Sequence, residues 1–248
     1  MESGRIRSVL SQLPKRILLK LSGEKLMGTQ PFGVEFSTCL KIAEPIRTMQ
    51  KSGIQVAIVI GGGNIFRGHE LKKLGVPQTP ADQMGMLGTM INGIALQQAL
   101  ELIDCKAKVM SAVECPKLVE SYSWQHARDE LEKGTVVIFV AGTGNPYFTT
   151  DSAAALRASE IQADILLKAT KVDGVFDQDP ILHPDATKYD TITYQKVLTD
   201  NLKIMDATAI ALCRQSNIPI FVFNMKKLDS NQIIEALSNP SHGTLIGG

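Results

Sequence analysis

The sequence has no long apolar stretch and no zinc-binding cysteine pattern. Its longest apolar runs, near residues 56–60 and 136–141, fall far short of the roughly 20 residues that span a bilayer. The N-terminus also lacks an apolar signal core. The 4 cysteines are widely separated and include no C-x-x-C pair, so we expect reduced thiols and no structural zinc. We therefore expect a cytoplasmic protein without a membrane partner.

Several charge and catalytic patterns are absent as well. The 26 basic and 25 acidic residues nearly cancel, which gives no indication of a nucleic-acid partner. Neither G-x-x-x-x-G-K-[ST] nor G-x-G-x-x-G occurs, and G-x-S-x-G and H-E-x-x-H are missing too. The 4 histidines are isolated from one another. These absences argue against P-loop and Rossmann sites, hydrolase triads and zinc peptidases.

The composition that remains is that of a globular α/β protein. The chain has 248 residues, of which 44% are hydrophobic and 21% are charged, as in ordinary globular proteins. Apolar strands alternate with helical patterns, which predicts a mostly parallel sheet covered by helices on both faces. The sequence also makes one prediction about a helix and one about a strand. Pro45 should kink or divide the helix at residues 35–51, and residues 243–246 should form an edge strand.

The sequence is organised around residues 55–68, which read Q-V-A-I-V-I-G-G-G-N-I-F-R-G. The apolar run at 56–60 predicts a strand buried on both faces. The glycines that follow let the backbone turn sharply and leave its N–H groups open to a ligand. Asn64 is a candidate helix N-cap, with Arg67 about one turn later. This arrangement favours a phosphate site, and the alternative is an ordinary turn between a strand and a helix.

Functional groups also follow other predicted strands. Lys20 stands at the carboxyl end of the strand at 16–21, and a second segment rich in glycine and hydroxyl groups follows the strand at 135–140. In open α/β sheets, ligands bind at this end of the strands. Together with several carboxylates, these groups suit phosphoryl transfer, in which catalysis consists mostly of positioning and charge neutralisation.

Each candidate also has a purely structural interpretation. Lys20 alone is consistent with a solvated lysine at a strand end, and Asp82 is a natural N-cap for a helix at 82–102. Asp151 precedes a helix at 152–161, where it can act as a cap, as a functional carboxylate, or as both. The acidic residues around Asp173 lack the ligand spacing of an EF-hand, so we expect no calcium site there.

Five motifs occur in an order that resembles one enzyme family. They are K-R-I-L-L-K-L-S-G-E at 15–24, V-I-G-G-G-N-I-F-R-G at 59–68, D-Q-M-G-M at 82–86, T-G-N-P-Y-F-T-T-D-S-A-A at 143–154 and K-A-T-K-V-D-G-V-F at 168–176. From about residue 15 to the C-terminus, the chain is similar to the bacterial uridylate kinases of the amino acid kinase superfamily.

The resemblance implies a three-layer αβα sandwich with a mostly parallel central sheet. It implies a single amino acid kinase domain at residues 15–248, after a flexible arm at 1–14, with the UMP side mainly in 15–150 and the ATP side mainly in 151–248. The implied reaction transfers the γ-phosphoryl group of MgATP to UMP. Mg²⁺ would be bound mainly through the ATP phosphates, with no residue assigned as a metal ligand. A homohexamer is implied as well.

The resemblance also implies roles for individual residues. Lys20, Asp151 and Asp206 match catalytic positions, where the carboxylates orient the lysine and help to organise the metal-bound phosphates. The ATP-binding positions are Lys20, Ser22, Gly23, Gly63, Arg67, Thr170, Phe176 and Asp179. The UMP-binding positions are Gly62 at the phosphate, Asp82 at the ribose, and Thr143, Gly144, Asn145, Pro146, Tyr147, Phe148, Thr149 and Thr150 around the base and phosphate. The alternatives are a related kinase with another acceptor, and a nucleotide-binding protein of this fold without turnover.

Overall fold

A computed structural model describes residues 13–66, 73–229 and 232–248. The predicted N-terminal arm at 1–14 lies outside these ranges except for its last two residues, and so does Arg67. Among the described helices, none combines the length and the apolar content that crossing a membrane requires.

Most of the described strands join in one large sheet. The strands are β1 (Arg16–Leu21), β2 (Gln55–Ile60), β3 (Ala107–Ser111), β4 (Glu120–Ser121), β5 (Val136–Val140), β6 (Ile165–Thr170), β7 (Val175–Phe176), β8 (Lys188–Tyr189), β9 (Thr191–Thr193), β10 (Ile220–Asn224) and β11 (Gly243–Gly247). Within the described ranges, nine of them follow the order β4-β3-β5-β2-β1-β6-β10-β11-β9, and β7 pairs with β8. Within the nine-stranded sheet the pairs are parallel except β10 with β11, which confirms the mostly parallel sheet, and the separate pair of β7 with β8 is antiparallel.

Helices cover both faces of this sheet. They are α1 (Phe36–Lys51), α2 (Gln78–Glu101), α3 (Trp124–Glu132), α4 (Thr150–Glu160), α5 (Tyr194–Thr199), α6 (Ala207–Gln215), α7 (Lys226–Asp229) and α8 (Ile233–Ser238). One core joins the sheet to α1, α2, α7 and α8, and the other joins it to α3, α4, α5 and α6. The predicted three-layer αβα architecture is therefore confirmed.

The central strands explain why the sheet is buried on both faces. Along β1, Leu19 belongs to the core under α1 and α2, whereas Leu18 belongs to the core under α4. Both side chains are fully buried, and each such burial contributes about 1.5–3 kcal/mol. Polar residues are therefore costly inside these strands unless they lie at a strand end or have partners.

Helix α4 lies close to the sheet because its buried face is built from small residues. Ala153, Ala154, Ala155 and Ala158 are fully buried in the core beneath it. Alanine combines high helix propensity with a short side chain, so the helix backbone can approach the strands. This close approach brings the first turn of α4 to the carboxyl ends of β1 and β6.

Three predictions about these elements were wrong or only partly right. Helix α1 is not divided, since Pro45 is buried within one continuous helix whose apolar face packs on the core on both sides of the proline. Residues 243–246 belong to β11, which pairs with β10 and β9 and is not an edge strand. Helix α2 begins at Gln78, so Asp82 lies in its second turn and is not its N-cap.

Candidate active site

Two lysines lie side by side at the carboxyl edge of the sheet. Lys20 on β1 and Lys168 on β6 are register partners in a parallel pair, so both side chains leave the same face of the sheet. That face is the one covered by α4, because Leu18 and Leu166, two residues earlier on each strand, belong to its core. The side chains of Lys20 and Lys168 are only 15% and 11% exposed.

Asp151 joins the two lysines. Its Oδ1 lies 2.9 Å from Lys20 Nζ, and its Oδ2 accepts a 2.6 Å hydrogen bond from Lys168 Nζ. Burial would raise the pKa of Asp151, but the two ammonium groups together outweigh it and hold that pKa below its usual value. Burial, together with repulsion from Lys20, lowers the pKa of Lys168 despite the attraction of Asp151.

Thr149 is the N-cap of α4, so the interpretation of Asp151 as a cap was wrong. The Thr149 hydroxyl accepts hydrogen bonds from the N–H groups of Asp151 and Ser152 at 3.1 Å and 3.2 Å. Asp151 therefore lies inside the first helical turn, where the helix dipole also favours a negative charge. Its carboxylate is free to contact the lysines because another residue supplies the cap.

Asp206 ties two helix N-termini together. It caps α6 by accepting a 2.8 Å hydrogen bond from the N–H of Ala209. It also accepts a 2.9 Å hydrogen bond from Ser152 Oγ and another from Thr149 Oγ1. In this geometry Asp151 contacts the lysines, whereas Asp206 fixes the helix end that carries Asp151.

The glycine turn, residues 61–63, follows β2 beside β1. A side chain at Gly62 would place its Cβ 2.5 Å from the Gly85 carbonyl oxygen on α2, so the turn packs directly against that helix. A Cβ at Gly63 would meet nothing closer than Glu24 Cγ at 3.9 Å. Gly62 is therefore required by packing, whereas the space over Gly63 is open to a ligand.

A pair of buried asparagines supports the glycine turn. Asn92 Nδ2, on α2, donates to the Gly61 carbonyl oxygen at 2.7 Å. Asn64 Nδ2 donates to Asn92 Oδ1 at 2.9 Å and to the Gly33 carbonyl oxygen at 2.8 Å. Asn64 lies in a turn and no helix begins at it, so its interpretation as an N-cap was wrong. Asn92 was not predicted as a site residue.

A cavity of about 310 Å³, which we call the acceptor cavity, opens between the glycine turn, α2 and the loop at residues 142–149. We call this loop the acceptor loop. Asp82 lines the cavity, and its carboxylate accepts hydrogen bonds from Gln78 Nε2 at 2.8 Å and 3.0 Å. The Tyr147 N–H donates to the same carboxylate at 2.8 Å. Asp82 thus connects α2 to the acceptor loop.

Most residues predicted to bind the acceptor lie around this cavity. Its lining includes Gly62, Asp82, Thr143, Asn145, Tyr147, Phe148, Thr149 and Thr150, together with Gly63. Gly144 and Pro146 belong to the same loop but are not among the lining residues. The five motifs are far apart in sequence, so the parallel sheet is what brings their strand ends together.

A second cavity, the donor cavity, lies on the other side of β6. It has a volume of about 510 Å³ and is lined by Thr170, Phe176 and Asp179, by the turn between β7 and β8, and by residues 200–204. Ser22 and Gly23 follow β1 directly, and Ser22 lines a neighbouring cavity that also reaches Thr170. The described residues predicted to bind ATP thus lie at the ends of β1, β2 and β6 or in the donor cavity.

Lys168 is the main site residue that sequence reasoning missed. A recognisable signal was present, because Lys168 interrupts the apolar run I-L-L-K-A-T just as Lys20 interrupts R-I-L-L-K-L. Two apolar strands, each with one lysine near its carboxyl end, are expected to place those lysines at the same sheet edge if the strands pair in parallel. Their pairing could not be read from the sequence, because long helical connections separate them.

Comparisons with known proteins agree with this geometry. The sequence profile of the amino acid kinase family matches residues 15–224. A protein named uridylate kinase from Protochlamydia amoebophila is 62% identical over 237 residues, which cover 96% of this chain and 94% of that protein. A uridylate kinase from Dichelobacter nodosus is 50% identical over 232 residues, covering 94% of this chain and 95% of that protein.

Two solved structures are similar to this chain in both fold and sequence. The crystal structure of UMP kinase from Ureaplasma parvum is 43% identical and matches with a TM-score of 0.88 over 96% of this chain and 100% of that one. UMP kinase from Bacillus anthracis matches with a TM-score of 0.89 at 36% identity, over 95% of this chain and 97% of that one. The chain belongs to the amino acid kinase family.

Proposed function

We propose that the protein is a uridylate kinase, which transfers the γ-phosphoryl group of MgATP to UMP and releases UDP and ADP. The observation that carries this proposal is the order of sites along the sheet edge. The acceptor cavity lies at the ends of β5 and β2, the two lysines lie at the ends of β1 and β6, and the donor cavity lies beyond β6. The relatives named uridylate kinase support the choice of UMP.

The acceptor needs no protein base in this reaction. A phosphate monoester has a second pKa of about 6, so UMP is largely a dianion at neutral pH and its phosphate oxygen is already a nucleophile. The obstacle is repulsion between the phosphates of UMP and ATP. Lys20 and Lys168 present two ammonium groups at the ends of β1 and β6, the strands that lie between the two cavities, and positioned cations of this kind stabilise the charge of the transferring group.

The carboxylates hold these cations in place. Asp151 contacts both lysines, so neither ammonium group has to find its position when the nucleotides bind. Asp206 fixes the N-terminus of α4 and thereby the position of Asp151. We assign Lys20 and Lys168 to the reacting phosphate, and Asp151 and Asp206 to the positioning of those lysines.

The residues present fit a magnesium ion that binds through ATP phosphates. In the described part of the chain, no group of three or more histidine, cysteine or acidic residues could hold a metal. The Asp151 and Asp206 carboxylates are already occupied by lysine, hydroxyl and N–H groups. When bound, Mg²⁺ would neutralise part of the charge of the ATP phosphates. The open glycine turn and Ser22 are placed to receive the phosphates, and Arg67 remains a predicted donor ligand.

We assign Asp82 to recognition of the ribose hydroxyls of UMP. Its carboxylate lines the acceptor cavity, held by Gln78 and by the Tyr147 N–H. A sugar hydroxyl can donate to the remaining lone pairs of this carboxylate. A deoxyribose would leave that carboxylate without its partner, which costs binding free energy. The site is therefore expected to prefer ribonucleotides.

The organisation of the whole protein is proposed on the same basis. We assign residues 15–150 mainly to UMP and residues 151–248 mainly to ATP, within one kinase domain. We also propose a homohexamer. Leu87 and Ile91 lie one turn apart on α2 and are 57% and 51% exposed, which supports a contact between subunits at this helix. The 4 free cysteines support a reducing, cytoplasmic location.

The test is an assay of ADP release by the purified protein. With MgATP present, UMP should give rapid release of ADP, and CMP and dUMP should give much less. Acetate, glutamate and carbamate would be included as acceptors of the kind that related kinases phosphorylate. ADP release that depends on one of these acceptors, or that does not depend on UMP, would contradict the proposed function.

A further inference from the structure

A buried arginine lies behind the acceptor loop and has no part in the chemistry proposed above. Arg157, in the last turn of α4, is only 4% exposed. Its Nη2 donates to the Gly142 carbonyl oxygen at 3.3 Å, and its Nη1 donates to Glu160 Oε2 at 2.6 Å. Burying a guanidinium group costs free energy because the charge loses its hydration, so the partners of Arg157 must compensate for that loss.

The guanidinium group of Arg157 is held from several directions. Its central carbon lies 3.8 Å from the ring centroid of Tyr122, which is within the range of a cation–π interaction. The Tyr122 hydroxyl donates to Glu160 Oε2 at 2.5 Å, and the Tyr122 ring contacts Phe139 edge-on at 5.5 Å. Burial raises the pKa of Tyr122, and Glu160 raises it further, so the phenol remains a donor. Arg157 is therefore fixed in one orientation.

The carbonyl that Arg157 contacts belongs to a strained turn. Ala141 and Gly142 both have positive φ, 61° and 59°, and for alanine this conformation costs roughly 1–2 kcal/mol. On one side the Ala141 N–H donates to Thr89 Oγ1 at 2.6 Å, and Thr89 is anchored on α2 through the Met86 carbonyl oxygen. On the other side, Arg157 contacts Gly142. The turn is thus held between α2 and α4.

This turn determines where the acceptor loop starts. The loop ends at Thr149, which Asp206 holds, and in its middle the Tyr147 N–H meets Asp82. If the Gly142 end shifts, the Tyr147 N–H and the lining residues Thr143 and Asn145 shift with it. The lysines and the donor cavity lie on other strands and would keep their positions.

We propose that Arg157 is a positioning residue for the acceptor nucleotide: by holding the Gly142 carbonyl, it sets the acceptor loop for UMP without acting on ATP. This inference rests on the proposed function, since it concerns the same acceptor cavity. A residue needed only for folding would affect both nucleotides alike, so the two Michaelis constants distinguish the roles.

The experiment is two-substrate kinetics of Arg157→Lys. Lysine keeps the positive charge, but a single ammonium group cannot reproduce the planar contact with Tyr122 and two separate hydrogen bonds. Loss of one charge-assisted hydrogen bond should raise KM for UMP roughly 5- to 10-fold. KM for ATP should stay within about twofold, since the donor cavity is untouched.

Glu160→Gln is the matched control. It removes the ion pair but leaves Arg157, its contact with Tyr122 and its bond to Gly142, so KM for UMP should stay within about twofold even if the melting temperature falls. If Arg157→Lys does not fold, Arg157→Gln is measured in the same way, with a melting curve to verify that it is folded at the assay temperature.

Four results would overturn the inference. The first is an unchanged KM for UMP in the folded Arg157 variant, and the second is an increase in KM for ATP as large as that for UMP. The third is an increase in KM for UMP in Glu160→Gln as large as that in the Arg157 variant. The fourth is failure of both Arg157 variants to fold, which would make the role structural. Absence of UMP-dependent turnover in the unmodified protein would instead contradict the proposed function, so the two failures can be told apart.

Discussion

Replacing Asp151 by asparagine tests how the lysine pair is held. The substitution keeps the shape of the side chain but removes the negative charge that lies 2.9 Å from Lys20 Nζ and 2.6 Å from Lys168 Nζ. Removing one partner of a buried ion pair typically costs 3–5 kcal/mol. Because the lysine side chains are 15% and 11% exposed, some water reaches them, and we expect a loss near the lower end, about 3 kcal/mol.

The dependence of this loss on pH follows from the direction of each pKa shift. The pKa of Asp151 is lowered in the folded protein. Its stabilising contribution to the free energy of unfolding is therefore present above the unfolded pKa of about 3.9 and is lost as pH falls through the folded pKa. The pKa of Lys168 is also lowered, and loss of Asp151 lowers it further. A charged Lys168 then destabilises the variant below that folded pKa, and the penalty is relieved as pH rises through it.

The assay is urea denaturation of the unmodified protein and Asp151→Asn at about pH 7 and about pH 9.5, with the free energy of unfolding extrapolated to zero urea. The deficit should be about 3 kcal/mol at neutral pH and clearly smaller at the alkaline pH. Asp190→Asn is the control, because the Asp190 side chain is 58% exposed where it pairs with Lys188 at 3.3 Å, and such a pair should contribute less than about 1 kcal/mol. A neutral-pH deficit no larger than that of the control, or a deficit that grows with pH, would refute this reasoning.

Four further predictions concern the lysines, the recognition of the ribose and the glycine turn. Lys20→Ala and Lys168→Ala should each lower kcat about 100-fold or more while KM for UMP changes little, and a near-normal rate would remove that lysine from the mechanism. The kcat/KM for dUMP should be roughly 10- to 100-fold below that for UMP, and equal values would exclude a role of Asp82 in recognising the ribose. Gly62→Ala should lower the melting temperature by roughly 4–10 °C, since its Cβ would lie 2.5 Å from the Gly85 carbonyl oxygen. Gly63→Ala should leave the melting temperature unchanged but raise KM for ATP roughly tenfold, and an unchanged KM would show that Gly63 does not face the donor.

Sequence reasoning succeeded where one residue or one short run decides the outcome. The apolar run of β2 and the glycines after it specified a buried strand and a turn, and the structure contains both. The alternation of strands and helices was enough to predict the three layers.

Sequence reasoning failed where several residues could fill one role, or where the role depends on strands that are distant in sequence but paired in the sheet. Asp82 and Asp151 both have the chemistry of an N-cap, but helix α2 starts one turn before Asp82 and Thr149 caps α4 ahead of Asp151. Helix boundaries of this kind depend on tertiary packing as well as on local preference. Lys168 became a site residue only through its pairing with Lys20 across β6 and β1, which no local pattern specifies.

The central claim is that donor and acceptor phosphates meet at the glycine turn, beside Lys20 and Lys168. A crystal structure with UMP and a non-hydrolysable ATP analogue tests it most directly. We predict the UMP phosphate against Gly62, with its ribose at Asp82, and the terminal donor phosphate against Gly63 within hydrogen-bonding distance of both lysines. A structure in which either phosphate binds away from residues 61–63, or in which neither lysine reaches the donor phosphate, would contradict the claim.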